Sequence, residues 1–189
     1  MKELLEKLLI RLKGAKKVLF MGIGEEKMTD DGVGPYITSE LLNYSSEKFL
    51  FINANIDPMS RIDYIFNFHP SHLVILDTCT LDAPPGTIAL LERENIGEFV
   101  PISSHTIPIH IVIDLILEKI PNLSVLMIGF VPESLEGFEE LTLYKDREFT
   151  IDDKNENLDI PFFNFQLTET IQKVADEMII VIKELIKKL

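Results

Sequence analysis

The chain has 189 residues, of which 46% are hydrophobic, and a formal net charge of −13 at pH 7. This length and hydrophobic content suit one domain with a full core, and the acidic balance argues against nucleic acid or an anionic membrane surface as a partner. Cys79 is the only cysteine, so we expect no disulfides. No apolar run reaches membrane-spanning length, and the first residues are too charged for a signal peptide. We therefore expect a cytoplasmic protein.

Predicted helices and strands alternate along most of the chain. This alternation, with short links, favours an α/β fold of three layers: a mostly parallel, twisted sheet of about five strands with helices on both faces. We expect a single α/β domain over residues 1–189. Apolar periodicity predicts five helices: one over residues 2–13, one that begins after Gly32, one that ends at about Phe68, one that begins after Pro108, and one over residues 167–189. Strands are predicted over residues 18–23, 48–53, 72–77, 87–91 and 123–130. A long loop is predicted over residues 94–107.

Residues 144–166 differ in kind from the rest of the chain. They mix acidic side chains with four phenylalanines and have no sustained period. A structureless stretch of this length is uncommon inside a compact domain, and its charges cannot be buried unpaired. We therefore expect an insertion that recognises a partner and packs its phenylalanines on a second surface.

An acidic loop follows the first predicted strand. Residues 17–34 read KVLFMGIGEEKMTDDGVG, so that an apolar run and a glycine turn precede four carboxylates and a second glycine pair. Open α/β sheets bind ligands at loops of this kind. The structural alternative is a solvated acidic turn, with one aspartate capping the next helix. A dinucleotide site is not supported, because no third glycine follows Gly22 and Gly24 at the required spacing. The four carboxylates suit a cation instead.

Three polar side chains are predicted to meet at the carboxyl edge of the sheet. Asp31 lies in the acidic loop, Asp77 ends the third predicted strand, and His105 lies in the long loop before Pro108. Two carboxylates and one imidazole form a suitable ligand set for a first-row divalent metal, with positions left for water or a substrate. The structural alternative is that the aspartates anchor loops or cap helices, and that the histidine is a polar surface residue.

Other candidate nucleophiles and bases have weaker claims. Cys79 lacks the local signature of an activated thiol. Ser104 adjoins the histidine of the long loop, but adjacency in sequence gives no triad geometry. The remaining histidines are expected at the amino edge of the sheet or inside an apolar helix, and they are His69, His72 and His110.

Five short motifs occur in order between residues 17 and 143. They are Gly-x-Gly followed by Asp-Asp-Gly-x-Gly at residues 22–34, Val-Ile-Leu-Asp ending at Asp77, Pro-Gly at residues 85–86, Ser-Ser-His-x-x-Pro at residues 103–108, and Gly-Phe-x-Pro-Glu-Ser-Leu-Glu at residues 129–136. This set resembles the nickel-iron hydrogenase maturation endopeptidases, in particular the branch that processes the large subunit of hydrogenase-3 and related energy-converting types.

The resemblance implies an endopeptidase that cuts a short C-terminal extension from a hydrogenase large-subunit precursor after nickel has been installed there. Position by position, the family's metal-contacting acids fall on Asp31 and Asp77, and its histidine falls on His105. On this view the three side chains engage the nickel that the substrate presents, in an aspartate-type, metal-dependent peptide hydrolase without a catalytic zinc of its own. The enzyme is expected to be a monomer or a homodimer.

Two positions depart from the family pattern. Glu25 stands where the family has asparagine, and Ala54-Asn55 stands where it has a glycine pair, so the changes affect the expected substrate groove. Asp30, Glu25 or Glu26 is the expected general base or supporting partner of the metal ligands. The alternative functions are a non-catalytic metal-sensing or assembly module of the same fold, and a nucleotide-binding α/β domain.

Overall fold

The computed structural model describes residues 1–100, 107–135 and 166–189, which contain five strands, six α-helices and short 3-10 turns. None of the helices in these ranges is both long and apolar enough to cross a membrane. His105 and residues 144–165 of the predicted insertion lie outside the described residues. In chain order the elements are α1 (Lys2–Arg11), β1 (Val18–Ile23), α2 (Val33–Glu40), β2 (Phe49–Asn55), α3 (Ile62–Phe68), β3 (His72–Thr78), β4 (Ile88–Glu92), α4 (Arg93–Phe99), α5 (Ile109–Lys119), β5 (Ser124–Phe130) and α6 (Glu169–Lys188).

The five strands form one sheet in the order β2-β1-β3-β5-β4. The first four strands in this order run parallel, and β4 pairs antiparallel with β5 at the edge. Residues 79–87 connect β3 to β4 without a helix, and a parallel strand needs a crossover of about a dozen residues or more. The mostly parallel α/β sheet predicted from the sequence is confirmed, with one reversed edge strand.

Helices cover both faces of the sheet. Successive strand residues point to opposite faces, so Leu19 and Phe20 of β1 enter two different cores. One core packs the sheet against α1, α2 and α6, and the other packs it against α3, α4 and α5. Each fully buried Leu, Ile or Phe side chain contributes about 1.5–3 kcal/mol to folding. The result is the predicted arrangement of three layers.

Two glycines bring α2 into direct contact with the central strands. A Cβ built on Gly34 would lie 2.1 Å from the carbonyl oxygen of Leu76, and one built on Gly22 would lie 2.2 Å from the carbonyl oxygen of Gly34. Neither position has room for a side chain. α2 therefore begins directly over the carboxyl ends of β1 and β3, and it holds the preceding turn at that place.

The helix α4 corrects one sequence prediction. The long loop predicted over residues 94–107 is wrong over residues 94–99, because Arg93–Phe99 is helical, and residues 101–106 of that prediction lie outside the described residues. Gly97 lowers helix propensity by about 1 kcal/mol relative to alanine. A helix this short with such a residue is therefore not predicted from the sequence. Burial of Ile96 and Val100 in the core on the α5 side favours the helix nevertheless. At the N-terminus, the helix predicted over residues 2–13 ends at Arg11.

Candidate functional site

The strand order reverses direction between β1 and β3. From β1 the chain moves to β2 on one side, and it then crosses to β3 on the other side. In open α/β sheets, the carboxyl ends of the strands at such a reversal border a crevice in which ligands bind. The residues that follow β1 and those that end β3 therefore lie where this fold places a ligand.

Asp31 follows β1 in the 3-10 turn Thr29–Gly32, which leads into α2, and it is only 3% exposed. Its Oδ2 accepts a hydrogen bond from the backbone N–H of Glu25 at 2.7 Å. Gly24 permits this approach: its φ is +131°, and a Cβ there would lie 1.9 Å from the carbonyl oxygen of Asp31. The loop after β1 therefore packs closely around Asp31. A solvated turn does not describe this residue, and it is not the N-cap of α2, which is Gly32.

Thr78 joins Asp31 to Asp77. Asp77 and Thr78 end β3, and each is 1% exposed. The Thr78 hydroxyl donates to Oδ1 of Asp31 at 3.1 Å, and the Thr78 backbone N–H donates to Oδ1 of Asp77 at 2.7 Å. The two predicted aspartates thus meet on one threonine at the crevice between β1 and β3. Sequence reasoning missed Thr78, although a hydroxyl directly after a strand-terminal aspartate was an available signal.

The third predicted member, His105, lies outside the described residues. Within residues 1–100, 107–135 and 166–189, no three His, Cys, Asp or Glu side chains form a group that could hold a metal ion. The described part of the site supplies two buried carboxylates and one hydroxyl. The complete triad stays a prediction.

Asp30 anchors the turn that carries Asp31. It is fully buried, and its carboxylate accepts four hydrogen bonds, from the backbone N–H groups of Glu133, Ser134 and Thr168 and from the Thr168 hydroxyl. Glu133 and Ser134 follow β5, and Thr168 is the N-cap of α6. Of the two roles that the sequence leaves open for Asp30, general base and supporting partner, these contacts favour the supporting one. Sequence reasoning could not have identified the partners.

Glu25 and Glu26 lie on the outer side of the acidic loop. Glu25 is half-buried and Glu26 is exposed. Oε1 of Glu26 accepts a hydrogen bond from Nδ2 of Asn53 at 2.7 Å, and the same Nδ2 donates to Oγ of Ser39 at 3.1 Å. These bonds tie the loop after β1 to the end of β2 and to α2.

A groove of about 740 Å³ opens beside the Asp31 turn. Thr29 and Gly32, the first and last residues of the turn, line it together with side chains of α2 and of the first turn of α6. This volume is typical of clefts that bind ligands. The site therefore combines a buried pair of aspartates with an adjoining open groove.

Cys79 and the other described histidines do not join this site, and Ser104 lies outside the described residues. Burial raises the pKa of the Cys79 thiol to about 11, with a further contribution from the charge of Asp77, so the thiol is protonated at neutral pH. His72 begins β3 at the opposite edge of the sheet, and burial lowers its pKa. His69 and His110 are exposed.

Comparison with protein families and individual sequences gives consistent matches. A family model described as HycI, hydrogenase maturation protease, matches residues 35–144, a range that includes Asp77 and His105 and begins after Asp31. A protein of Methanocaldococcus jannaschii that is assigned as a hydrogenase maturation protease is 31% identical over 139 residues, which cover 69% of this chain and 81% of that protein. The hydrogenase 3 maturation protease of Escherichia coli K12 is 25% identical over 120 residues, 64% of this chain and 76% of that protein.

Solved structures share the fold. The nickel-iron hydrogenase maturation protease HycI from Thermococcus kodakarensis matches with a TM-score of 0.73 and 21% identity, over 96% of this chain and 99% of that one. The hydrogenase maturating endopeptidase HybD from Escherichia coli matches with a TM-score of 0.60 and 16% identity, over 91% and 93% of the two chains. At these identities the structures establish the common fold alone.

Proposed function

Because the chain belongs to the HycI family of hydrogenase maturation proteases, we propose that it is an endopeptidase that removes the C-terminal extension of a nickel-iron hydrogenase large-subunit precursor after nickel insertion. The observation that carries this proposal is the meeting of Asp31 and Asp77 on Thr78. It supports the proposal, because the two acids of the expected triad then lie beside the crevice where α/β sheets bind ligands.

We propose that Asp31, Asp77 and His105 engage the nickel that the precursor presents. Carboxylate and imidazole groups are donors that first-row divalent metals accept. Burial of both aspartates supports this role, because water screens buried charges weakly and an arriving divalent cation is then attracted strongly. Nickel is part of the substrate in this account, and the enzyme needs no resident metal.

Hydrolysis of a peptide bond requires an activated water, a polarised carbonyl group and a proton for the leaving amine. A divalent metal supplies Lewis acidity and lowers the pKa of bound water. Thr78 orients the Asp31 carboxylate with its hydroxyl and the Asp77 carboxylate with its N–H. Both oxygens of Asp30 accept hydrogen bonds, and Glu26 accepts a hydrogen bond from Asn53 and lines the adjoining groove. Glu25 is therefore the acidic group of the loop that we assign to proton transfer.

Nickel recognition serves as a checkpoint in this proposal. If the triad engages only a metal-loaded precursor, processing follows nickel insertion without any further sensor. The predicted insertion at residues 144–166 has the complementary role of recognising the precursor, within a single domain of residues 1–189. The acidic net charge of −13 fits a protein partner and not a nucleic acid.

The test is incubation of the purified protein with a nickel-loaded precursor, followed by intact mass measurement of the precursor. Loss of a C-terminal peptide supports the protease. Binding of the precursor without a change in its mass contradicts the protease and identifies a non-catalytic assembly module, whereas specific binding of a nucleotide identifies a nucleotide-binding domain. Asp77→Asn is the matched control, because it removes the charge and keeps the size of the side chain.

A further inference from the structure

Most of the residues that line the groove beside the Asp31 turn are polar, and two of them are acidic. Its carboxylates belong to Glu26 of the acidic loop and Glu169 in the first turn of α6, and its hydroxyl groups include those of Tyr36 and Ser39. In the part of the chain that the structure describes, no lysine, arginine or histidine lines it. Charge complementarity therefore disfavours an anionic ligand and favours a cationic one.

Hydrogen bonds hold the walls of the groove in place. On one side, Nδ2 of Asn53 donates to Glu26 at 2.7 Å. On the other side, the Tyr36 hydroxyl and Nε2 of Gln172 both donate to Oδ1 of Asp176, at 2.9 and 3.0 Å. Burial and the bond to Asp176 raise the pKa of Tyr36, so its hydroxyl stays neutral at physiological pH. Walls that are already ordered reduce the side-chain entropy that the protein loses when a ligand binds.

The groove and the crevice share one turn of the chain. Thr29 and Gly32 line the groove, whereas Asp31, between them in sequence, directs its carboxylate to Thr78. A polypeptide that lies in the groove therefore runs beside the turn that carries Asp31. This continuity connects groove binding to the proposed site of cleavage.

We propose that the groove binds a lysine- or arginine-bearing segment of the hydrogenase precursor. The inference rests on the proposed function, because it names the part of the substrate that the protease would hold beside the aspartates. Contacts in the groove lie away from the reacting groups, so they stabilise the bound ground state and the transition state equally. They lower KM and leave kcat unchanged.

The test measures kcat and KM for processing of the precursor by the double variant Glu26→Gln, Glu169→Gln. Glutamine keeps the size of each side chain and an oxygen that accepts a hydrogen bond. The matched control is Glu98→Gln, Glu118→Gln, which changes the net charge equally at two exposed positions on the other face of the sheet. Thermal unfolding of both double variants checks that the fold is retained.

The groove variant should raise KM about three-fold to ten-fold at low ionic strength, with kcat unchanged, and the difference should shrink in high salt. The control should keep the parental KM. Equal KM values for the two double variants overturn the inference. A groove variant that keeps the parental KM but changes its oligomeric state also overturns it, because the groove would then bind a second copy of the chain.

A direct binding measurement separates this inference from the proposed function. If the parent binds the precursor without cutting it, the proposed protease fails, and a three-fold to ten-fold weaker Kd of the groove variant still supports the groove. If the parent cuts the precursor and the groove variant cuts it with parental KM, the proposed function stands and the groove assignment is wrong.

Discussion

The hydroxyl of Thr78 donates a hydrogen bond to Oδ1 of Asp31 at 3.1 Å, across 47 residues of sequence. This contact fastens the turn after β1 to the last residue of β3. Because the backbone N–H of the same threonine donates to Asp77, one residue sets the positions of both aspartates. Thr78 is therefore the positioning residue through which the two strands assemble the proposed metal-engaging pair.

Replacing Thr78 with valine should lower kcat for precursor processing about ten-fold. Valine keeps the shape of the side chain but leaves Oδ1 of Asp31 without this donor, and a hydrogen bond to a charged group is worth about 1.5–3 kcal/mol. The backbone bond to Asp77 is unaffected. Thr78→Ser retains the hydroxyl and should keep a kcat near that of the parent. Equal losses of kcat in Thr78→Val and Thr78→Ser would show that the Thr78 hydroxyl is not needed for processing.

Asp31→Asn, Asp77→Asn and His105→Ala should each abolish processing. Groups that act as one unit lose function together and not additively, so combining two of these changes should add no further loss. Intact mass of the precursor reports processing, and circular dichroism reports the fold. A folded variant that processes the precursor at the parental rate removes that residue from the triad.

Asp30→Asn should destabilise the protein by about 1–3 kcal/mol, because an amide leaves at least one of the buried donors around it without an acceptor. Urea unfolding measures the loss. Asp57→Asn is the control: Asp57 is exposed and accepts one bond from the Ser60 N–H at the start of a turn, so its loss should stay below about 1 kcal/mol. Similar values for the two variants would contradict the anchoring role of Asp30.

Cys79→Ala should process the precursor at the parental rate. With a pKa of about 11, the thiol is almost entirely protonated between about pH 7 and 9 and is a poor nucleophile there. Iodoacetamide should therefore alkylate the native protein much more slowly than the urea-unfolded protein over that range. Rapid alkylation of the native state, or a folded alanine variant without activity, would make the thiol part of the site.

The central strands and both aspartates were predictable because their signals are local. β1 and β3 are apolar runs buried on both faces, as strands in the middle of a parallel sheet must be. Once the sheet is parallel, the carboxyl ends of its strands share an edge, which brings the residues after β1 and at the end of β3 together. Asp31 and Asp77 follow from that geometry and from their residue type.

The role of Asp30 was not predictable, because its partners are distant. Glu133, Ser134 and Thr168 lie more than a hundred residues away along the chain, and no local pattern records such contacts. The helix α4 was missed for a different reason. It is seven residues long and contains Gly97, so its tendency to form is weak and packing decides the outcome.

The central claim is that this protein cuts a hydrogenase precursor only after nickel has been inserted. The most direct measurement compares nickel-loaded and nickel-free precursor, at equal concentrations and with the same enzyme preparation, by intact mass over time. The account predicts loss of a C-terminal peptide from the loaded precursor alone, and no loss from either form with Asp31→Asn. Cleavage of the nickel-free precursor at the same rate would contradict it.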